Sequence, residues 1–123
     1  MITHPRTEEL AKAVAGWIDE IRPGLDPRNA FLARVAVNVL GVIQRELTQG
    51  PAAEARALEG LTGVLGHDGA FADLNRELCA KIRAGEMTVE TPGLLDALKV
   101  MARDQVAIDQ PNYKHEGAPA PAA

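Results

Sequence analysis

Apolar residues recur every three or four positions along most of this chain, which is the spacing of helices with one apolar side. Interruptions by glycine and proline divide this pattern into five predicted helices, at about 7–21, 27–48, 51–65, 70–84 and 91–109. No segment shows the two-residue alternation that is typical of a strand. Because the connections are short, the pattern predicts an all-α fold, a compact bundle of about five mostly antiparallel helices.

Capping and helix-breaking residues set the predicted ends of these helices. Asp26 followed by Pro27 is a typical helix start, since it combines a side-chain cap with a proline at the first helical position. Gly50 followed by Pro51 predicts that this second helix stops and a third begins. Gly85 is expected to end the fourth helix in a left-handed conformation.

Two segments carry the clearest apolar sides, and we expect both sides to be buried. In the first helix this side consists of Leu10, Val14, Trp17, Ile18 and Ile21. In the segment 31–47 a wider apolar side consists of Leu32, Val35, Ala36, Val39, Leu40, Ile43 and Leu47. A helix that is apolar over nearly half of its circumference is expected to lie at the centre of the bundle.

Length and composition limit the domain organisation and the class of partner. A chain of 123 residues has the size of one domain, which we place at residues 1–111, with a disordered tail at 112–123 that ends in alternating Ala and Pro. The net charge is −4 and the isoelectric point is near 5.3, which argues against a nucleic-acid partner. The chain lacks an apolar leader and an apolar run long enough to span a membrane. With Cys79 as the only cysteine, we expect a cytoplasmic protein without disulfides and without a membrane partner.

The second helix also carries the one polar cluster that could form a site. Arg34, Asn38, Gly41 and Arg45 lie at positions i, i+4, i+7 and i+11, so they share one side of the helix. The two guanidinium groups lie about 16 Å apart along the axis, too far to clamp one small anion, but they could bind an extended ligand or two carboxylates from neighbouring helices. The alternative is structural, since both arginines could form ion pairs with neighbouring helices.

Other candidates for chemistry are sparse. Glu46 falls within the apolar sector of the second helix, where a buried carboxylate would have a raised pKa and could act as an acid, a base or a binding group. The alternative is that Glu46 reaches solvent near the end of the helix. His67 and Asp68 could belong to a catalytic relay, but the alternative is that Asp68 caps the fourth helix and His67 is solvated. The sequence therefore predicts no catalytic residue, no metal site and no cofactor.

Four stretches of the chain resemble an uncharacterised bacterial family of small all-helical proteins. They are Arg6 to Val14, Phe31 to Leu47, Leu74 to Gly85, and Val106 to Tyr113 with its Asp-Gln-Pro-Asn-Tyr ending. Members of that family are associated with aminoglycoside-phosphotransferase-like kinases and acyl-CoA dehydrogenases, beside which they are encoded or to which they are sometimes fused. The resemblance implies a partner of one of these classes but carries no assigned activity, and a kinase activity of this chain is not expected because it has no nucleotide-binding loop.

These observations leave two hypotheses of different kinds. The first is a non-enzymatic accessory or interaction module that binds a phosphotransferase-like kinase, an acyl-CoA-processing enzyme or a second copy of itself through a helix face. The second is a small-ligand-binding bundle for an acyl or phosphorylated metabolite. Under either hypothesis the candidate contacts are Arg34, Asn38, Arg45 and Glu46.

Overall fold

The computed structural model describes residues 3–113 and contains four α-helices and one short 3-10 turn. The elements are α1 (Thr7–Ile21), the 3-10 turn (Arg22–Gly24), α2 (Pro27–Leu65), α3 (Phe71–Arg83) and α4 (Leu94–Asp109). Residues 3–113 include no strand, which confirms the all-helical class. The count of five helices is wrong by one. The predicted tail falls outside the described residues from position 114 onward.

The error in the helix count arises at Gly50 and Pro51, where α2 continues as one helix of 39 residues. A proline inside a helix removes one backbone hydrogen bond, and its ring crowds the carbonyl four residues earlier. In the preceding turn the Thr48 hydroxyl donates to the carbonyl oxygen of Gln44 at 3.0 Å, which does not replace the bond that position 51 would otherwise donate to the Leu47 carbonyl. The sequence that follows is rich in alanine, the strongest helix former, and carries the helix on.

The other predicted helix ends agree more closely with the structure. At the start of α2, the Asp26 carboxylate accepts hydrogen bonds from the backbone N–H and the side-chain amide of Asn29. These bonds, led by the one from the amide, lower the pKa of Asp26. Gly85 follows α3 with a φ of +74°, as expected for a left-handed stop. Helix α4 begins at Leu94, later than predicted, because Gly93 has a φ of +81° and cannot belong to the helix.

Contacts along the chain define two compact units. Unit 1 contains the described residues up to Gly50 together with Ile108–Gln110. Unit 2 contains Pro51–Ala107 and the described residues from Pro111 onward. The boundary near the middle of the chain thus falls at Gly50 and Pro51. The single domain expected over residues 1–111 stays a prediction.

Unit 2 has a leucine core supplied by the C-terminal half of α2, by α3 and by the start of α4. Its buried members are Leu61, Leu74, Leu78 and Leu94. Partly buried side chains that pack against them are Leu58, Val64, Leu65, Phe71 and Met87. Burying such side chains contributes about 1.5–3 kcal/mol each to folding, so this cluster is the main source of stability in unit 2.

In unit 1 the predicted buried sides are largely exposed. On α1, Leu10, Val14 and Trp17 are 52%, 49% and 60% exposed, while Ala11 is buried and Ile18 is half-buried. On α2, Leu32, Val35, Val39, Ile43 and Leu47 are all exposed as well. The expectation that these two apolar sides are buried is therefore wrong. Helical periodicity shows which residues share a side but not whether that side is covered.

Two glycines in the C-terminal half of α2 offer a matched test of packing in unit 2. A Cβ atom at Gly60 would lie 3.3 Å from the Cβ atom of Ala97, whereas a Cβ atom at Gly63 would meet nothing within 4 Å. Replacing a helical glycine by alanine stabilises a helix by roughly 1 kcal/mol when the methyl group fits. We therefore expect Gly63→Ala to raise the free energy of unfolding by about this amount. Gly60→Ala should be less stable than Gly63→Ala, as urea denaturation would measure. Equal increases in the free energy of unfolding for the two variants would show that Ala97 does not crowd a methyl group at Gly60.

Candidate functional site

The polar cluster predicted on α2 lies in unit 1, where its members have separate environments. The Nε atom of Arg45 donates a hydrogen bond of 2.6 Å to the backbone carbonyl oxygen of Ile108. Its guanidinium also lies over Gly41, where an added Cβ atom would be 3.0 Å from Nη1. The missing side chain of Gly41 thus gives room for Arg45 and is not an opening for a ligand.

The contact of Arg45 with Ile108 has a plain structural reason. Ile108 lies in the last turn of α4, where carbonyl groups have no partner four residues further on. A positive charge at the C-terminal end of a helix is also favourable, because the helix dipole is negative there. Arg45 therefore satisfies the end of α4, which is the structural alternative for this residue.

Arg34, Asn38 and Glu46 differ from Arg45 because they are exposed. Within residues 3–113, neither Arg34 nor Asn38 has a hydrogen-bond or ion-pair partner. The Glu46 carboxylate lies beside Gly50, with Oε1 3.1 Å from the position of an added Cβ atom. The burial on which an acid–base role for Glu46 depended is absent. These three side chains remain candidates for contacts with another molecule.

His67 is held more firmly than a solvated loop residue. Its Nδ1 atom lies 3.0 Å from the carbonyl oxygen of Asp68, and its Nε2 atom lies 2.7 Å from a carboxylate oxygen of Glu77. Both neighbours are acceptors, so the doubly protonated ring, which donates from both nitrogens, is favoured. The hydrogen bond to the Asp68 carbonyl, followed by that to Glu77, raises the pKa of His67 above 6.5. Asp68 does not cap α3, whose capping position is Ala70.

The largest feature of unit 1 is an exposed set of ten large apolar side chains, which we call the unit-1 apolar surface. Its members are Leu10, Val14, Trp17, Ile21, Phe31, Leu32, Val35, Val39, Ile43 and Leu47. Their exposed fractions run from 38% at Ile21 to 64% at Phe31. The four on α1 fall within an arc of roughly 60° at about 100° per residue, so they form a narrow stripe. The members on each helix are neighbours along that helix, and exposed apolar patches of this kind mark sites of interaction.

Unit 2 contains an open cleft of about 570 Å³ between the C-terminal half of α2 and the start of α4. Gly60, Gly63 and Gly93 form part of its lining, together with Val64 and Val100. The sequence does not predict this cleft, because glycines near the end of a predicted helix indicate fraying and not a packed wall. The signal that could have revealed it is the three-residue spacing of Gly60 and Gly63, which places both on one side of a continuous helix.

The charged groups at the cleft are unevenly paired. Arg56 donates two hydrogen bonds to the Asp104 carboxylate, from Nε at 2.8 Å and from Nη2 at 3.0 Å. This pair raises the pKa of Arg56 through the hydrogen bonds and the charge of Asp104. Glu59 and Asp96, which also line the cleft, are exposed and have no ion-pair partner within the described part of the chain. The cleft thus combines apolar walls with two free carboxylates, and none of the predicted site residues lines it.

The described residues form neither a metal site nor a membrane span. Between residues 3 and 113, no group of three or more His, Cys, Asp or Glu side chains is placed to hold a metal ion. None of the helices formed by these residues is long and apolar enough to cross a membrane. Cys79 is exposed on α3.

The chain belongs to the family described as a domain of unknown function, DUF6285, whose model matches residues 23–113. The match covers α2, α3 and α4 and begins after α1. No curated protein and no solved structure matches the chain. The membership confirms the resemblance to an uncharacterised family.

The two arginines of the polar cluster provide a matched pair of variants. Arg45→Met removes a charged donor from the Ile108 carbonyl, so we expect the free energy of unfolding to fall by about 1–2 kcal/mol. Arg34→Met removes a side chain without a partner in residues 3–113 and should leave it unchanged. Urea denaturation of both variants would measure the difference. An equal effect of the two changes would contradict the structural role of Arg45.

The contacts of His67 predict a pH dependence that nuclear magnetic resonance can follow. Because the folded-state pKa of His67 is raised, its contacts stabilise the fold fully below about pH 6.5, the pKa of an unfolded histidine. That contribution is lost as the pH rises through the folded-state pKa. Glu77→Gln removes the carboxylate and should lower the pKa of His67, whereas Glu90→Gln, in the loop before α4, should not. An unchanged titration of His67 in Glu77→Gln would contradict the contact.

Proposed function

We propose that this protein is a non-enzymatic interaction module that binds a protein partner through the unit-1 apolar surface. The observation that carries the proposal is the exposure of ten large apolar side chains on α1 and the N-terminal half of α2. Exposed apolar area costs free energy in water at roughly 25 cal/mol per Å². Covering it by a partner recovers that free energy and drives association.

The class of partner follows from the family resemblance. We propose a phosphotransferase-like kinase or an acyl-CoA-processing enzyme, for which this chain acts as an accessory protein. Asn38 is suited to a contact at the edge of such an interface, because it is exposed about 100° around α2 from Val39 and has no partner in residues 3–113, whereas Arg34 lies about 140° from Val39 and faces away from this surface. Polar rims of this kind fix the orientation of a partner more than they add affinity.

The cleft in unit 2 favours a second candidate function, the binding of a small ligand. Its volume of about 570 Å³ lies in the range of roughly 300–1,000 Å³ that is typical of ligand sites. Its apolar walls suit an acyl group. The free carboxylates of Glu59 and Asp96, together with the engagement of Arg56 by Asp104, disfavour a phosphorylated one. A ligand at this cleft would not contact Arg34, Asn38 or Arg45, because none of them lines it.

The interaction proposal is tested by placing a charge in the unit-1 apolar surface. Val39 is 52% exposed on α2, and we expect Val39→Glu to lose the partner because a buried, unpaired carboxylate opposes association. The tagged protein would be purified from its native cells, and a captured kinase-like or acyl-CoA-processing enzyme would then be tested for binding as a purified pair. We expect a loss of affinity of at least about a hundredfold.

The matched control is Val89→Glu, the same change in a loop of unit 2 where the side chain is 77% exposed. This variant should keep the partner. Retention of the enzyme by Val39→Glu, or its loss from Val89→Glu as well, would contradict binding through the unit-1 apolar surface. An acyl compound retained by the purified protein and lost on Gly63→Leu, with no enzyme captured, would favour the ligand function instead.

A further inference from the structure

The N-terminal half of α2 contains a seam of residues whose pattern is symmetric about its own midpoint. Alternating steps of four and three residues lead from Arg28 through apolar positions to Glu46. This is the heptad spacing of helices that pack along their length. The six positions are Arg28, Leu32, Val35, Val39, Val42 and Glu46.

The midpoint of this seam lies at the level of Val37, and each position has a counterpart at equal distance on the other side. Val35 and Val39 are the inner counterparts, and Leu32 and Val42 are the next, although Val42 is half-buried and lies outside the ten residues of the unit-1 apolar surface. At the two ends, Arg28 and Glu46 lie about 27 Å apart along the helix and carry opposite charges. Both are exposed and have no ion pair within residues 3–113.

We propose that the unit-1 apolar surface joins two copies of this chain, with the α2 seams antiparallel about a two-fold axis at Val37. In this arrangement Val35 of one copy meets Val39 of the second, and Arg28 of one copy meets Glu46 of the second. A two-fold interface uses the same patch on both partners, so the patch must be complementary to its own inverted copy. The seam meets that requirement, because its ends carry opposite charges and each apolar position faces another apolar position when the seam is inverted. The proposal rests on the proposed function in taking this surface as an interface, and it names the occupant.

The available area agrees with a stable pair. The ten side chains of the unit-1 apolar surface expose on the order of 900 Å² together, and a standard interface takes roughly 800 Å² from each partner, so the pair needs the seven side chains outside the seam as well as Leu32, Val35 and Val39. Trp17, the only tryptophan in the sequence, is 60% exposed on the α1 part of this surface. Aromatic residues of this kind are typical anchors of interfaces. Because the second copy covers the surface to which an enzyme partner would bind, the enzyme would have to displace the second copy.

Charge also favours a second copy over an unrelated chain. Helix α1 carries four acidic residues and one lysine, whereas the part of α2 in unit 1 carries three arginines and one glutamate. Glu20 and Arg34 are exposed on these two helices without an ion pair inside residues 3–113. Because Arg45 is bound to Ile108 and Arg34 lies about 140° around α2 from Val39, Arg28 and Glu46 are the charges of the seam that two copies can match reciprocally.

The test is a set of charge reversals at the two ends of the seam, with the full chain studied alone by analytical ultracentrifugation. The wild-type chain should sediment as a dimer. Arg28→Glu or Glu46→Arg alone should raise the dimer dissociation constant about tenfold, because each places like charges at both ends of the antiparallel pair. The double variant Arg28→Glu/Glu46→Arg, which exchanges the two charges, should restore the wild-type constant to within about threefold.

Charge reversals in unit 2 serve as controls, and the emission of Trp17 reports whether α1 belongs to the interface. Glu54→Arg and Arg103→Glu reverse exposed charges in unit 2 and should leave the dissociation constant unchanged. The emission of Trp17 should lie at shorter wavelength in the wild-type dimer than in Val39→Glu, which should be monomeric and equally helical by circular dichroism. Identical emission would overturn the inclusion of α1.

The outcomes separate this inference from the proposed function. A wild-type chain that stays monomeric at the highest concentrations measured overturns the dimer. Single reversals without effect overturn the antiparallel arrangement, because in a parallel pair each charge already faces its own copy and a reversal leaves like charges opposed. If Val39→Glu then still loses an enzyme partner, the proposed function stands without the dimer. Conversely, a dimer with the expected charge pattern and no enzyme partner supports the inference and removes the accessory role.

Discussion

The continuity of α2 through Pro51 is the constraint on which the rest of the structure depends. A single helix supplies Leu61 to the leucine core of unit 2 and the exposed valines to the surface of unit 1. Its cost is one backbone hydrogen bond at the proline, and the alanines that follow favour the helix strongly enough to carry it on. Because the two units share this helix, the same secondary-structure element provides stability in one part of the chain and accessible apolar area in the other.

Local signals in the sequence predicted the helix ends well wherever one residue decides the outcome. Asp26 with its bonds to Asn29 and Gly85 with its positive φ are of this kind, since capping and left-handed backbone depend on near neighbours. Pro51 misled the prediction because its cost of about 3 kcal/mol, the largest of any residue in a helix interior, is still outweighed over the whole of α2. Whether the helix continues depends on the sum of helix propensities over the whole segment, including the cost of Pro51, and no single position shows that sum.

Burial was harder to predict than helicity, as Val14 and Val39 show. Periodicity correctly groups these residues with the other apolar positions of their helices, but a covered side and an uncovered side have the same pattern. The candidate site was affected in the same way. The spacing placed Arg34 and Arg45 on one side of α2, yet only the fold brings the Ile108 carbonyl to Arg45 and leaves Arg34 without a partner in residues 3–113.

The bond between Arg45 and Ile108 joins positions 63 residues apart, and it has a consequence for the order of folding during synthesis. Unit 1 is discontinuous, because Ile108–Gln110 complete it only after the whole of unit 2 has been translated. Long-range closures of this kind are slow to form, and chains generally fold from the N-terminus as they emerge. Helix α1 and the N-terminal half of α2 therefore leave the ribosome before unit 2 but can gain the contact with Ile108 only after it. During that interval the unit-1 apolar surface is exposed on the nascent chain while the bond between Arg45 and Ile108 is still missing. Chaperones or a neighbouring nascent copy would therefore meet this surface before unit 1 is complete.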